Sequence, residues 1–259
     1  MTQVEVKANV LELKNVQLAY ETKGESVLAL QNINLNIKEG EFVCILGPSG
    51  CGKSTLLKIM AGFITPTEGS AQIDGAEIKS IDWNRGVVFQ QPALYPWLTV
   101  EQNVNFGLKM RKKEDTSIVS YFLDKIGLTK FSNNKPYELS GGMKQRVAIA
   151  RVLVNNPRVL LMDEPFSALD ALTREQMQNL LRDIWLETNK TIIFITHDVD
   201  EALLLATKVI VMSRHPGRVI KEINPTFTKH ITKEDNSVRF TKEFQEIREE
   251  ILQIINQQT

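Results

Sequence analysis

The 259-residue sequence is poor in cysteine, favours neither sign of charge and lacks any long apolar run. Its two cysteines, Cys44 in an apolar run and Cys51 in a glycine-rich stretch, exclude a disulfide framework and fit a reducing compartment. Lysine and arginine together number 31, as do aspartate and glutamate, and the basic residues are spread evenly. That removes the electrostatic footprint of a nucleic-acid binder, so no nucleic-acid partner is expected. Apolar runs such as Phe42–Leu46 and Val159–Met162 stop well short of the ~18 residues a membrane span needs. No N-terminal stretch resembles a signal peptide, and the chain is expected to be soluble even if its partners are not. Internal repeats, low-complexity tracts and sustained heptads are also missing.

What is present reads as α/β. The length suits one large domain or two small ones. "INLNIKEG" alternates, with Ile33, Leu35 and Ile37 on one face of a half-buried strand, and antiparallel pairing is expected there. "EFVCILG" is a short continuous apolar run that leads into a glycine loop and then "STLLKIMAGF", the strand–loop–helix order of a parallel α/β unit. "RVLLMDEP" and "TIIFITHD" are further runs of this kind, and the carboxyl ends of such strands are where parallel sheets bind ligands. Between about residues 92 and 155 the pattern turns helical. "TVEQ" at Thr99–Gln102 is a capping box, "SIVSYFLDKIG" is a helix closed by Gly127, and Lys242–Ile255 forms an amphipathic tail.

Two stretches are built to meet anions. Gly47, Pro48, Ser49, Gly50, Cys51, Gly52, Lys53 and Ser54 fit G-x-x-x-x-G-K-[ST] between a predicted strand and helix, and Thr55 follows in the same turn. There glycines let backbone N–H groups close on phosphate oxygens, Lys53 reaches the β- and γ-phosphates, and Ser54 ligates Mg²⁺. The second is "ELSGGMKQR", where Ser140 caps a helix opened by Gly141 and Gly142, with no phosphate-gripping lysine.

Acid–base candidates stand at strand ends. Asp163 suits indirect Mg²⁺ ligation, and Glu164 suits polarising the water that attacks a γ-phosphate. His197 follows "TIIFIT" and is placed to bridge γ-phosphate and neighbouring backbone. Gln90, at the end of "GVVF", has an amide that can reach Mg²⁺ or water.

The ordered set Tyr20, "GPSGCGKS", Gln90, "LSGGMKQR", "LLMDEP", "SALD" and His197 resembles the ATP-binding cassette of ABC transporters over essentially the whole chain. The resemblance implies a P-loop NTPase fold with a parallel core sheet, an antiparallel N-terminal β part and a helical subdomain, forming a single ATP-binding domain over 1–259. It implies ATP and Mg²⁺ as ligands, adenine stacking on Tyr20, Gln90 as the Q-loop glutamine, Glu164 as catalytic base, Asp170 in the D-loop and His197 as switch histidine. It also implies that Ser140, Gly141 and Gly142 cap the γ-phosphate held by a second copy, in a head-to-tail homodimer that ATP joins. Met143 departs from the glutamine common at that place, which a backbone-mediated contact tolerates.

Among cassette proteins three classes compete: a transporter subunit, a soluble ATPase acting on ribosomes or DNA, and a binding module without turnover. One cassette per chain, the lack of an interrupting coiled coil and the presence of Lys53, Glu164 and His197 favour the first. The separate membrane domain is the arrangement of bacterial importers. Partners implied are two copies of a membrane permease subunit and, indirectly, an extracytoplasmic solute-binding protein, with this chain peripheral on the cytoplasmic face of the membrane. The "PW" pair of "QQPALYPWLTV", with "RHPGRVIKEI" at 214–223, is similar to the nitrate/sulfonate/taurine importers. "RGVVFQ", "NVNFGL", "DALTREQMQNLLRDIWLET" and the tail within about 240–259 are most similar to the taurine members, with aliphatic sulfonates and nitrate as alternatives. For Tyr95 and Trp97, two readings stand: local packing on the helical segment, or a docking surface for a short helix of the permease.

Overall fold

Apolar–polar alternation near the N-terminus produces two long antiparallel strands. The computed structural model describes residues 8–22, 25–229 and 237–258. In it β1 (Asn9–Thr22) pairs with β2 (Glu25–Lys38) from Asn9↔Lys38 to Thr22↔Glu25. Ile33, Leu35 and Ile37 are buried while Asn34, Asn36 and Lys38 face out, as the period of two requires. β4 (Glu68–Ile73) pairs along the other side of β1, and β5 (Ala76–Glu77) pairs with β4.

Continuous apolar runs make the second kind of strand. β3 (Phe42–Leu46) lies between β8 (Thr191–Ile195) and β9 (Lys208–Met212), parallel to both, and every residue of the three is buried. Strands covered on both faces have no solvent side, so the sequence shows no alternation. β10 (Val219–Ile223) closes the edge antiparallel to β9. Trp185 locks the start of β3: its ring meets Phe42 edge-on at 6.1 Å, and its indole N–H donates to the Gly40 carbonyl at 3.1 Å. Lys208 spans the same region, donating to the Asn36 carbonyl at 2.9 Å and pairing with Glu41 at 3.2 Å.

These elements belong to one of two compact units, formed by residues up to Asp82 and from Trp185 onward. It also holds α1 (Lys53–Ala61), α6 (Val199–Leu205), which lies against β3, and α7 (Lys242–Asn256), which lies against α6. The tail helix is secured by Phe244, buried beside Phe227 at 5.2 Å, and by an Arg248–Asp200 ion pair at 2.6 Å.

The other unit, Trp83–Ile184, contains the parallel pair β6 (Arg85–Val88) and β7 (Val159–Asp163). Its helices are α2 (Val100–Met110), α3 (Thr116–Lys125), α4 (Gly141–Leu153) and α5 (Ala171–Thr188), whose last turn belongs to the first unit. The expected capping box forms, Thr99 accepting from the Gln102 amide, and Gly127 (φ 67°) ends α3 in the left-handed conformation. Among the described residues no helix is long and apolar enough to cross a membrane.

Candidate functional site

The phosphate-loop residues sit where β3 runs out. Gly50 (φ 77°) and Gly52 (φ 96°) are both left-handed, and Gly52 begins α1. A Cβ on Gly52 would lie 2.7 Å from Leu30 Cδ2, so both conformation and space demand glycine there. Ser49, Gly50 and Ser54 are exposed, and Pro48 and Thr55 are half-buried. The Lys53 ammonium is buried and lies across its own loop, donating to the carbonyls of Gly47 at 2.8 Å and Pro48 at 3.0 Å. Burial pushes the Cys51 thiol up from its ordinary range against the opposing pull of Lys53, so it stays protonated at neutral pH.

Two further candidates fall in this unit. Tyr20 on β1 brings its hydroxyl 3.4 Å from that of Thr55, with its ring half-exposed beside the start of α1. His197 leaves β8 at the edge where the phosphate loop leaves β3, since Ile45 pairs with Ile195 and Thr196 N–H donates to the Ile45 carbonyl at 3.3 Å. Parallel register therefore joins two motifs that lie far apart in the chain.

The same logic acts within the other unit. Val88 pairs with Met162, so Gln90 and the pair Asp163–Glu164 emerge from one edge. Glu164 holds φ 42°, a left-handed backbone that costs a non-glycine residue about 1–3 kcal/mol. Its carbonyl is pinned by Ser167, which donates from its N–H at 3.2 Å and its hydroxyl at 3.0 Å. The Ser167 hydroxyl in turn accepts from Gln90 Nε2 at 3.2 Å. Sequence reasoning missed Ser167: it lies inside "SALD", a motif read only for Asp170. Asp170 itself caps α5, its carboxylate accepting from the Thr173 N–H at 3.0 Å, and that bond holds its carboxyl below the usual range.

Ser140 caps α4, its hydroxyl accepting from Met143 N–H at 3.3 Å. The Met143 contribution is backbone, so its departure from glutamine leaves the cap intact. Gly141 opens onto free space, whereas a Cβ on Gly142 would stand 2.6 Å from Thr173 Cγ2. The helix start is therefore open to solvent at Gly141.

The loop after Gln90 separates the two aromatic residues. Tyr95 packs, its ring 4.3 Å from Phe106 and with the Arg151 guanidinium 5.5 Å above it. Buried Asn103 holds the loop, accepting from the Tyr95 N–H at 2.8 Å and donating to the carbonyls of Tyr95, Leu98 and Thr99. Trp97 points out, 69% exposed, with Lys135 donating to its carbonyl at 2.8 Å. Trp97 leans on the Tyr95 ring, centroids 5.6 Å apart, so local packing accounts for Tyr95 and for part of Trp97, most of whose ring stays exposed.

Comparison with known proteins gives the family and the fold. The ABC transporter family profile matches residues 30–167. The taurine import ATP-binding protein of Pelagibacter ubique is 50% identical over 247 residues, 93% of each chain. The nitrate import ATP-binding protein of Synechocystis is 51% identical over 216 residues, 82% of this chain and 81% of that one. A solved dimer of an ATP-binding cassette in a post-hydrolysis state, bound to ADP and Pi, superposes with a TM-score of 0.75 at 40% identity, covering 83% of this chain and 98% of that one. A chain with this fold, these strand-end residues and such relatives belongs to the ABC transporter family, as one of its ATP-binding, ATP-hydrolysing cassettes.

Proposed function

We propose that this chain is the ATP-hydrolysing subunit of an importer for taurine, seated peripherally on the cytoplasmic face of the membrane. The observation that carries this reading is the 50% identity, spanning 93% of both chains, to a protein named for taurine import. Aliphatic sulfonates and nitrate are the competing solutes, nitrate because a nitrate-import relative is equally similar over a shorter stretch.

In this reading the backbone of Gly47–Gly52 receives phosphate oxygens, and Lys53 swings from its own loop carbonyls to the β- and γ-phosphates of ATP. Nothing covalent is required of the protein. Glu164 takes the proton of the attacking water, and its position is set by the Ser167 clamp on its carbonyl. His197 orients the γ-phosphate, and Tyr20 offers its open ring to adenine. Ser54 would hold Mg²⁺ through its hydroxyl oxygen, and within the other unit Gln90 and Asp163 carry amide and carboxylate oxygens of the same hard kind, Asp163 acting through water. Mg²⁺, when bound, neutralises phosphate charge.

The open helix start at Ser140–Gly142 caps the γ-phosphate held by a second copy, and two cassettes then enclose two ATP molecules. A cassette does not touch the solute, so force passes through a docking surface. Trp97 supplies an exposed aromatic anchor on a loop held firm by Asn103, and its occupant is a short helix of the permease subunit. The test is ATPase activity of the reconstituted transporter with its solute receptor. Taurine should stimulate turnover more than alkanesulfonates or nitrate do. Stimulation by nitrate alone would replace the solute and leave the ATPase role standing.

A further inference from the structure

The turn that follows β9 reaches the phosphate loop from behind. β9 ends beside Gly47, where a Cβ would lie 3.0 Å from the Met212 carbonyl oxygen. The next six residues fold back on themselves around Ser213. Its N–H donates to the Arg218 carbonyl at 2.8 Å, its hydroxyl donates to the Pro216 carbonyl at 3.1 Å, and that hydroxyl accepts from Arg218 N–H at 3.0 Å.

This turn presents Gly217, buried, to two other segments. Gly217 N–H donates to the Ala29 carbonyl at 2.9 Å, and its carbonyl accepts from Gln31 N–H at 2.9 Å, fastening it to β2. On its other side stands the phosphate loop. A Cβ on Gly217 would overlap the Cys51 carbonyl oxygen and would also crowd Met212 Cε at 3.0 Å and Leu30 Cδ2 at 3.1 Å. Gly217 is not among the left-handed glycines, so conformation does not require glycine here. Space alone does.

The Cys51 carbonyl shares its peptide plane with the Gly52 N–H, and in a trans peptide these two groups point in opposite directions. Whatever abuts the carbonyl oxygen therefore sets the aim of that N–H, one of the free donors at the start of α1. Leu30 completes the brace, lying 2.7 Å from the place of a Gly52 Cβ. We propose that Gly217 is a positioning residue for the phosphate loop, its missing side chain letting the β9–β10 turn hold the Cys51–Gly52 peptide so that its N–H faces the nucleotide. The proposal rests on reading Gly47–Ser54 as the nucleotide phosphate loop.

The test uses the purified full chain and calorimetric titration with MgADP and MgATP, with melting recorded alongside. Gly217→Ala should weaken both nucleotides about tenfold or more, as expected when a phosphate donor is turned aside. Ser213→Ala keeps the glycine but frees the turn, and should weaken binding about threefold, with Ser213→Thr restoring it. A residue that merely packs would lower the melting temperature and leave the affinity of the folded protein unchanged. Lys53→Ala separates the two levels. If it binds MgATP like the parent, the phosphate-loop reading itself fails. If it binds weakly while Gly217→Ala stays within twofold of the parent, the proposal is overturned. Should Gly217→Ala not fold, the Ser213 pair decides by the same twofold criterion.

Discussion

Ser167 holds the backbone of Glu164: its hydroxyl donates to the Glu164 carbonyl at 3.0 Å while accepting from Gln90 Nε2 at 3.2 Å. The glutamate has a left-handed backbone, so its side-chain direction depends on that hold. Removing a neutral hydrogen bond costs about 0.5–1.5 kcal/mol, or roughly two- to tenfold in rate if felt only in the transition state. Ser167→Ala should lower kcat for ATP by that factor with KM within twofold, and Ser167→Thr should recover most of it. Steady-state kinetics showing a raised KM at unchanged kcat would remove Ser167 from the positioning of Glu164.

Glu164→Gln keeps the size of the side chain and abolishes its basicity. ATP binding should persist while steady-state hydrolysis drops by about two to four orders of magnitude, the usual contribution of a general base. Phosphate release measured at saturating MgATP checks this, and hydrolysis at the parent rate would return the role to another residue.

The same variant makes the two-copy arrangement observable. With hydrolysis blocked, MgATP should convert Glu164→Gln from monomer to dimer in sedimentation velocity. Adding Ser140→Arg puts bulk and charge at the exposed start of α4, and the dimer should disappear. Persistence of an ATP-dependent dimer in the double variant would rule out capping in trans.

Tyr95 and Trp97 should behave oppositely when truncated. Tyr95→Ala removes a ring packed on Phe106 and Arg151 and should destabilise the chain by about 2 kcal/mol. Trp97→Ala removes a largely exposed ring that touches Tyr95, so it should leave the isolated ATPase unchanged and lower the melting temperature much less than Tyr95→Ala, yet weaken assembly with the permease by about 2 kcal/mol or more. Co-purification of normal amounts of permease with Trp97→Ala would show that the loop is not the docking surface.

Asp170 carries a pH signature. The Thr173 N–H stabilises its carboxylate and depresses its folded-state pKa, so the stabilising contribution exists above the unfolded value and is lost as pH falls through the folded one. The melting-temperature gap between the parent and Asp170→Ala should be widest at neutral pH and should narrow on acidification below the ordinary carboxylate range. A gap independent of pH would mean that the cap acts through something other than charge.

Much of the molecule was decided locally, and that part was legible in the sequence. Period-two alternation in β2, unbroken apolar runs in β3, β7 and β8, the Thr99 box, the Ser140 cap and Gly127 all act over a few residues, where propensity and capping operate. The positions of Asp163, Glu164 and His197 at strand ends follow from the same runs, because a strand stops where its apolar residues stop, and Lys53 follows from the glycine loop that opens α1. Tertiary structure alone decided which distant residues support them. Ser167 reads as one more small residue in a turn until parallel register brings Gln90 beside it. Gly217 reads as a turn glycine until the Cys51 carbonyl is found against it. Tyr95 and Trp97, alike in sequence, end at different depths: the Tyr95 ring finds Phe106 and Arg151, while Trp97 leans on Tyr95 and stays exposed. Periodicity records which face of an element is buried, whereas the approach of two backbones separated by more than a hundred residues depends on the whole chain folding around them.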